Sequence, residues 1–256
     1  MSVVSYLHKR SSAAVLSGDE NDSINTSIAT LQSRLDFYFG DKLSSRFRFG
    51  SSTRGTILPR KMDEHSDIDY MVVWKEGGYK PQTYIDRLRS FADFYYSSSS
   101  IKQSSPTLVL ELNHIKFDLV PALHYYDATY EIPNGTQSWK YTSPNDFNST
   151  LENANKNNRY MLKPAIRLAK IWNAANGYVF DSFSFEKWIA DRFFFLCTNQ
   201  SDYLFAIFDS LSTNETAQWR NDRINRAKGI VANVRNYEKE GYPQSAEIEV
   251  KKLIPE

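Results

Sequence analysis

Two carboxylates stand at the start of an apolar, β-branched run, where Asp67-Ile68-Asp69 leads into Tyr70 to Trp74. Successive side chains of a strand point to opposite faces, so Asp67 and Asp69 share one face while Ile68 points into the core. Like charges held side by side repel each other, and cations between them relieve the repulsion. Because hard oxygen ligands suit Mg²⁺, this feature predicts a buried strand with a cation site at its start.

A third carboxylate, Asp118, interrupts the otherwise apolar run Ile115 to Leu123. If its strand lies beside that of Asp67 and Asp69, three carboxylates converge and can hold two metal ions. Two such ions can align an attacking hydroxyl and stabilise a departing phosphate group. We therefore interpret Asp67, Asp69 and Asp118 as candidate metal ligands and catalytic residues.

A glycine and a serine, Gly50 and Ser51, follow a predicted strand and precede a predicted short helix. Glycine allows the backbone to approach a phosphate closely, and the serine and the amides at a helix start donate hydrogen bonds to an anion. Arg54, three residues later, either contacts phosphate or caps the short helix. His65 stands near the acid pair, where a lone histidine is more often a loop or supporting residue than a ligand.

An Asp-x-Asp pair by itself is usually a solvated or capping feature, and Gly-Ser alone is weaker still. The ordered combination is more specific: a strand, Gly50-Ser51, a helix, the Asp67-x-Asp69 strand and a later isolated Asp118. The combination therefore favours a phosphate-handling metal site over a set of unrelated surface residues.

Hydrophobic periodicity predicts a mixed first half. A long helix contains apolar positions from Ile24 to Phe39, with Asn21 to Ser23 as N-cap candidates and Gly40 as its stop. We expect further elements at the following positions: strands at Arg46 to Phe49, Ile68 to Trp74, Thr107 to Leu112 and Ile115 to Val120, forming one sheet; a helix from Tyr84 to Tyr95; and a loop from Ser97 to Ser105.

Turn-forming residues between Tyr130 and Pro144 separate the mixed pattern of the first half from the mostly helical pattern that follows. We therefore place a lobe boundary there. The expected domains are residues 1–144, with the long N-terminal helix, and residues 145–256, which are mainly helical. Helices are predicted over Tyr160 to Ala174, Phe183 to Thr198, Tyr203 to Leu211 and Gln218 to Glu238, with Gly177 and Gly241 as terminators.

Composition excludes several classes of protein. The hydrophobic fraction of 41% excludes a predominantly disordered chain, and a net charge of +1 gives no global field for nonspecific nucleic-acid binding. A single cysteine, Cys197, cannot form an intrachain disulfide, which fits a reducing compartment. The most apolar stretch, Trp188 to Leu211, carries too many polar residues for a membrane span, so we expect a soluble, cytoplasmic protein.

The arrangement of Gly50-Ser51, Asp67-x-Asp69 and Asp118 resembles the signature of the polymerase β-like nucleotidyltransferases. More narrowly, GSSTRGT with HSDIDYMVV is similar to the bacterial CD-NTases, relatives of cyclic GMP-AMP synthase and 2′-5′-oligoadenylate synthase. This resemblance implies an α+β fold, in which a mixed-sheet nucleotidyltransferase lobe packs on a helical lobe with the active site in the cleft.

The resemblance extends over about Asp36 to Phe195. Leu162 to Asn173 resembles the helix whose lysine reaches the triphosphate, which implies that role for Lys170; the alternative is a solvated helix position. A Ser-aromatic segment implies that Ser182 contacts phosphate and Phe183 stacks on a base. The alternatives there are ordinary core packing of Phe183 and a register shifted to Ser184 and Phe185.

The resemblance implies a nucleotidyltransferase that uses two Mg²⁺ ions, with Mn²⁺ as a substitute, to make a cyclic di- or trinucleotide in bacterial antiphage (CBASS) signalling. Asp67 and Asp69 would hold both ions, and Asp118 would complete the site and activate the hydroxyl. The expected partners are nucleoside triphosphates and an effector or regulatory protein of the same defence system, without a membrane or nucleic acid. Two alternatives are transfer to an RNA end or protein acceptor, and a catalytically silent nucleotide-binding module.

The helix near the C-terminus is locally basic. Acidic residues interleave with its cations, so we interpret this surface as a solvated face rather than an RNA-binding one. The cations are Arg220, Arg223, Arg226, Lys228 and Arg235.

Overall fold

A computed structural model of the chain describes residues 2–104 and 107–256. Its helices are α1 (Val3–Ala13), α2 (Gly18–Phe39), α3 (Ser51–Arg54), α4 (Pro81–Tyr95), α5 (Asp146–Asn157), α6 (Leu162–Ala175), α7 (Ser182–Ala190), α8 (Gln200–Asp209), α9 (Gln218–Lys239) and α10 (Pro243–Leu253). Its strands are β1 (Leu43–Phe49), β2 (Asp67–Trp74), β3 (Ser100–Ser104), β4 (Thr107–Glu111), β5 (Lys116–Tyr126), β6 (Thr129–Asn134) and β7 (Ser138–Thr142). The α+β class expected from the sequence is confirmed.

These described strands form one mixed sheet in the order β1-β2-β5-β4-β3, with β6 paired to the end of β5 and β7 paired to β6. The four strands predicted to share a sheet do share it. The pairing of β2 with β5 is parallel, whereas the others are antiparallel. Parallel neighbours align their starts at one edge, so the beginnings of β2 and β5 lie side by side.

Alternation along β2 separates two apolar clusters. Ile68, Tyr70 and the other even-numbered residues of β2 join a large core together with α2 and α4, whereas Met71 and Val73 join a smaller cluster on the opposite face. Asp67 and Asp69 therefore belong to the face opposite α2 and α4. The large core packs against the face of β2 and β5 that is opposite Asp67 and Asp69.

Local sequence explains where the covering helices begin and end. Ser17 caps α2 in a reciprocal capping box with Glu20, and Gly40 at positive φ ends the helix as predicted. The predicted N-cap within Asn21 to Ser23 was wrong because the polar residues before it extend the helix by a further turn. Pro81 occupies the first turn of α4, where its missing N–H costs no hydrogen bond.

Two further predictions need correction. The predicted loop from Ser97 contains the edge strand β3, because the backbone of Ser100 to Ser104 pairs with β4 despite its polar side chains. The predicted helix from Phe183 to Thr198 ends at Ala190, and Asn199 caps a separate helix, α8. Ser105, the end of the predicted loop, lies outside the described residues, as does Met1 of the predicted first lobe.

The chain divides into two compact units. The sheet unit contains residues 16–60 and 64–149, and the helical unit contains the segment before Leu16, residues 61–63 and residues 150–256. In the helical unit α6 is buried around most of its circumference and contacts α1, α7 and α8. In the described residues, no helix is both long and apolar enough to cross a membrane.

Replacement of a core phenylalanine on β5 should destabilise the protein much more than replacement of an exposed phenylalanine. Phe117 is fully buried beside Asp118, whereas Phe94 of the same unit is 67% exposed. We expect Phe117→Ala to lower the free energy of unfolding by about 3–5 kcal/mol and Phe94→Ala by less than about 1 kcal/mol. Urea denaturation followed by tryptophan fluorescence measures both, and equal losses would contradict the assigned core.

Candidate active site

Strand register brings the predicted carboxylates together. In the parallel pairing of β2 with β5, Asp69 lies opposite Asp118 and Asp67 lies opposite Lys116. Adjacent strands are about 4.8 Å apart, and aligned residues point to the same face. The expected neighbouring of the Asp118 strand with the Asp67-Asp69 strand is thus confirmed, while the roles of the side chains stay predictions.

Asp118 occupies an unusual environment for a carboxylate. Thr107 Oγ1 donates a hydrogen bond to its Oδ2 at 3.4 Å, and its buried Oδ1 finds no hydrogen-bond partner in the described part of the chain. Burial, followed by the nearby charge of Asp67, raises the pKa of the Asp118 carboxyl to about 6. Lys116 and Thr107 oppose that rise. A carboxylate with such a pKa can accept a proton near neutral pH.

A lysine that the sequence analysis did not single out lies beside the acid pair. Lys116 Nζ is 3.4 Å from Asp67 Oδ2, and the two side chains are only 18% and 29% exposed. The sequence could have indicated Lys116, because a residue two positions before Asp118 in a strand points to the same face as Asp118. Lys116 therefore contributes a positive charge to the candidate site.

The donors present fit a hard divalent cation. Carboxylate oxygens are its preferred ligands, and the unpartnered Asp118 Oδ1 is an acceptor in a buried position. Over residues 2–104 and 107–256, no three His, Cys, Asp or Glu side chains are already gathered as they would be around a bound ion. A metal site at Asp67, Asp69 and Asp118 therefore stays a prediction.

Gly50 is required by the close approach of its backbone to Asp69. Its φ of +73° and ψ of −152° lie in a region that is essentially restricted to glycine. A Cβ at this position would overlap Asp69 Oδ2 and stand 2.8 Å from Asp69 Cγ. Ser51 then begins the short helix α3, as predicted. Gly50 thus lies against Asp69, and Ser51 follows it directly in the chain.

Arg54 and His65 occupy different environments. Arg54, at the end of α3, is 5% exposed, and its guanidinium lies 5.6 Å from the centre of the Phe147 ring. Arginine placed over an aromatic face gains a cation–π interaction. His65 is exposed in the loop before β2, 3.8 Å from Glu64, which fits the interpretation as a loop residue.

Lys170 belongs to the helical unit. It lies in α6 and is 6% exposed, so the alternative of a solvated helix position was wrong. Arg167, one turn earlier, is also buried, and burial lowers its pKa from the ordinary value. This second buried cation was not predicted from the sequence. A buried cation needs ionic or hydrogen-bonding partners, so the positions of both side chains on α6 are constrained by their surroundings.

The start of α7 resolves the ambiguity in the doubled Ser-Phe segment. Phe183 is 48% exposed, whereas Phe185 is 3% exposed and packs near Trp172 and Phe180. Core packing of Phe183 is therefore wrong, and Phe185 has no free face for a base. The exposure favours the register with Ser182 and Phe183.

Side-chain hydrogen bonds fix the approach to this helix. Asn173 of α6 donates to Phe180 O and accepts from Phe180 N, both at 2.9 Å. Asp181 is the N-cap of α7 and accepts a hydrogen bond from Ser184 N at 2.8 Å. Ser182 is thereby held at the first position of α7, with its hydroxyl in the first turn.

The basic face of α9 is partly neutralised. Arg235 Nη2 lies 2.7 Å from Asp209 Oδ2, and Lys228 donates to Asp209 O at 3.1 Å. Arg220 pairs with Glu215 at 3.4 Å. These contacts agree with a solvated face that carries local ion pairs.

Comparison with known protein families identifies a match over the first part of the chain. Residues 1–155 match the family described as the Second Messenger Oligonucleotide or Dinucleotide Synthetase domain, abbreviated SMODS. No curated protein matches the sequence. The matched range is more than half of the chain and includes Asp67, Asp69 and Asp118.

Solved structures share the fold over nearly the whole chain. The Vibrio cholerae DncV cyclic AMP-GMP synthase, in complex with a linear intermediate, is 10% identical with a TM-score of 0.78, covering 99% of this chain and 95% of DncV. CdnC of E. coli MS115-1 with ATP is 18% identical with a TM-score of 0.73, covering 99% and 98% of the two chains. CdnC in complex with HORMA-deltaN is 18% identical with a TM-score of 0.72, covering 98% and 96%. At these identities the similarity shows the fold.

Gly50→Ala should reveal the close approach to Asp69. Gly55 is the control for a positive φ alone, because it lies in the left-handed helical region (φ +72°, ψ 28°), which other residues can adopt at modest cost, and an added Cβ there meets nothing within 4 Å. We expect Gly55→Ala to cost about 1 kcal/mol of unfolding free energy and Gly50→Ala at least about 2 kcal/mol more, since overlap adds to backbone strain. Chemical denaturation of the two variants provides the comparison; equal costs would exclude the overlap.

The raised pKa of Asp118 predicts a pH dependence of stability in metal-free protein. Its folded pKa of about 6 exceeds the usual 3.8, so the folded state binds the proton more tightly. Protonation of Asp118 therefore stabilises the folded state. This stabilisation is fully present below about pH 4 and is lost as the pH rises through about 6. An asparagine does not ionise, so Asp118→Asn should not lose stability in this way as the pH rises. We expect it to be more stable than the wild type at pH 7 by on the order of 1–2 kcal/mol. Urea unfolding in EDTA between pH 4.5 and 7.5 measures the difference, and parallel curves for the two proteins would refute it.

Proposed function

The chain belongs to the family of second messenger oligonucleotide or dinucleotide synthetase domains, and we propose that it joins nucleoside triphosphates into a cyclic di- or trinucleotide. The observation that carries this proposal is the register of β2 and β5, in which Asp69 stands beside Asp118 and Gly50 lies against Asp69. Its structural neighbours support the substrate class, since CdnC was solved with ATP and DncV with a linear 3′,5′ intermediate.

We propose that Asp67, Asp69 and Asp118 hold two Mg²⁺ ions, with Mn²⁺ as a substitute. Bound divalent ions would neutralise triphosphate charge and lower the pKa of an attacking ribose hydroxyl. Asp118, which lies opposite Asp69 in the strand register, is the carboxylate that we propose to receive the proton of that hydroxyl. The hydroxyl oxygen bonds to the α-phosphorus, and the bond to pyrophosphate breaks.

The remaining residues bind and orient the nucleotide in this proposal. The backbone at Gly50 and the start of α3 at Ser51 donate to phosphate, with Arg54 supporting that short helix through its stack on Phe147. Lys170 and Ser182 are proposed phosphate contacts of the helical unit. Phe183 has the exposed ring surface that base stacking requires.

The family match supports a proposal for the biological setting. We propose that the product is a messenger in a bacterial antiphage system, that the enzyme acts in the cytoplasm, and that an effector or regulatory protein of the same system is its partner. CdnC in complex with HORMA-deltaN supports a regulatory protein partner. Near-neutral net charge supports small substrates over a nucleic acid.

Replacement of one carboxylate should abolish synthesis without unfolding the protein. We expect Asp69→Asn to lower product formation by at least about a hundredfold, because it removes a charged metal ligand. Asp93→Asn is the matched control, since Asp93 is exposed on α4. The assay incubates each protein with the four triphosphates and MgCl₂ and identifies phosphatase-resistant products by mass spectrometry.

Two results would contradict the proposal. Full activity of Asp69→Asn would remove Asp69 from the metal site. Failure of the wild type to form product without an added RNA or protein acceptor, but formation with one, would indicate transfer to a macromolecule. Circular dichroism of the variants confirms that each is folded.

A further inference from the structure

We propose that Lys116 is a built-in counter-ion, which neutralises Asp67 in the metal-free enzyme and is displaced from it when a divalent cation binds. This inference rests on the proposed function, because it assumes that Asp67 is a metal ligand. It adds a residue that neither the sequence motif nor the family match assigns. Lys116 would set the concentration of free cation at which the site fills.

The geometry places the ammonium where a metal ion would compete with it. Lys116 Nζ lies 3.4 Å from Asp67 Oδ2, and the strand register keeps the two residues directly opposite. A carboxylate oxygen facing an ammonium at this distance cannot coordinate an ion on the same side without losing part of that contact. Binding of the cation therefore includes the free energy of separating Lys116 from Asp67.

Partial burial makes this competition significant. Only 18% of the Lys116 side chain and 29% of the Asp67 side chain are exposed, so water screens the pair less than it screens a surface ion pair. The charge is also needed in the metal-free state. Asp67, Asp69 and Asp118 share one face of two adjacent strands, and Lys116 is aligned within that same face.

The sheet offers the displaced ammonium a second carboxylate. Lys116 of β5 aligns with Asp67 on one side and with Glu111 of β4 on the other. Glu111 Oε1 also accepts from Arg60 at 3.2 Å, and its side chain is 41% exposed. Lys116 can therefore leave Asp67 and pair with Glu111 instead, so that its partly buried ammonium keeps a carboxylate partner. The row Asp67, Lys116, Glu111 has alternating charge across three strands.

Direct measurement of cation binding tests the proposal without relying on activity. The probe is Mn²⁺ alone, titrated into nucleotide-free protein and followed by electron paramagnetic resonance or calorimetry. Lys116→Met removes the charge, and Lys116→Arg retains it. Lys102→Met is the matched control, because Lys102 lies on the same face of edge strand β3 and is exposed there.

We expect Lys116→Met to bind Mn²⁺ about tenfold more tightly than the wild type, since one competing charge is gone. Lys116→Arg and Lys102→Met should bind with wild-type affinity. In EDTA, Lys116→Met should also melt about 2–4 °C below the wild type, and Mn²⁺ should reverse that difference. If Lys116→Met does not fold in EDTA, Lys116→Gln replaces it in the same titration.

The possible outcomes separate this inference from the proposed function. Equal or weaker Mn²⁺ binding by a folded, uncharged variant overturns the inference while leaving the metal site intact. Absence of Mn²⁺ binding by the wild type and by all variants overturns the proposed metal site, and the inference with it. Tighter binding that appears equally in Lys102→Met indicates a general charge effect and also overturns it.

A wild-type structure supplies a test that needs no variant. With Mn²⁺ and a non-hydrolysable ATP analogue bound, the distance from Lys116 Nζ to Asp67 should exceed 4 Å, the limit of an ion pair. A metal-bound Asp67 that keeps Lys116 at about its present 3.4 Å would overturn the proposal.

Discussion

The parallel pairing of β2 with β5 is the constraint on which the candidate site depends. It aligns Asp69 with Asp118 and brings Asp118 close to Asp67, whose charge opposes the ionised form of Asp118. The opposing contribution is larger, because Ile68 and Phe117 on the other face are almost fully buried, and each such side chain contributes roughly 1.5–3 kcal/mol. Core packing therefore fixes the register, and it holds the carboxylates close together despite their unfavourable electrostatic interaction.

This enforced proximity is reflected in the charge state of the site. Burial together with the neighbouring Asp67 raises the pKa of Asp118 to about 6, while Lys116 and the Thr107 hydroxyl offset part of that effect. A site built only for stability would replace such carboxylates with apolar or neutral side chains. Three acids and one ammonium on a single face fit the proposed reversible binding of cations.

Sequence periodicity predicted the elements whose side chains decide their structure. The strands around Asp67 and Asp118 and helix α4 have strong apolar patterns, and they lie where expected. Strand β3 was missed because its serine-rich sequence has no such pattern, and it forms through backbone pairing with β4. The chain after Ala190 was taken as helix because it is apolar, but the side chains of Phe193 and Phe195 are 88% and 72% exposed.

The site itself was predicted by residue type but not by environment. Short spacing along a strand reveals that Asp67 and Asp69 share a face, whereas the contact of Lys116 with Asp67 depends on cross-strand register. The Ser-Phe repeat illustrates the same limit. Residues two apart in a helix point about 200° from each other, so Phe183 and Phe185 cannot both face the core. Asp181 as the N-cap and Asn173 as the anchor of Phe180 fix the start of α7, and the buried ring at Phe185 then leaves Phe183 for solvent or a ligand.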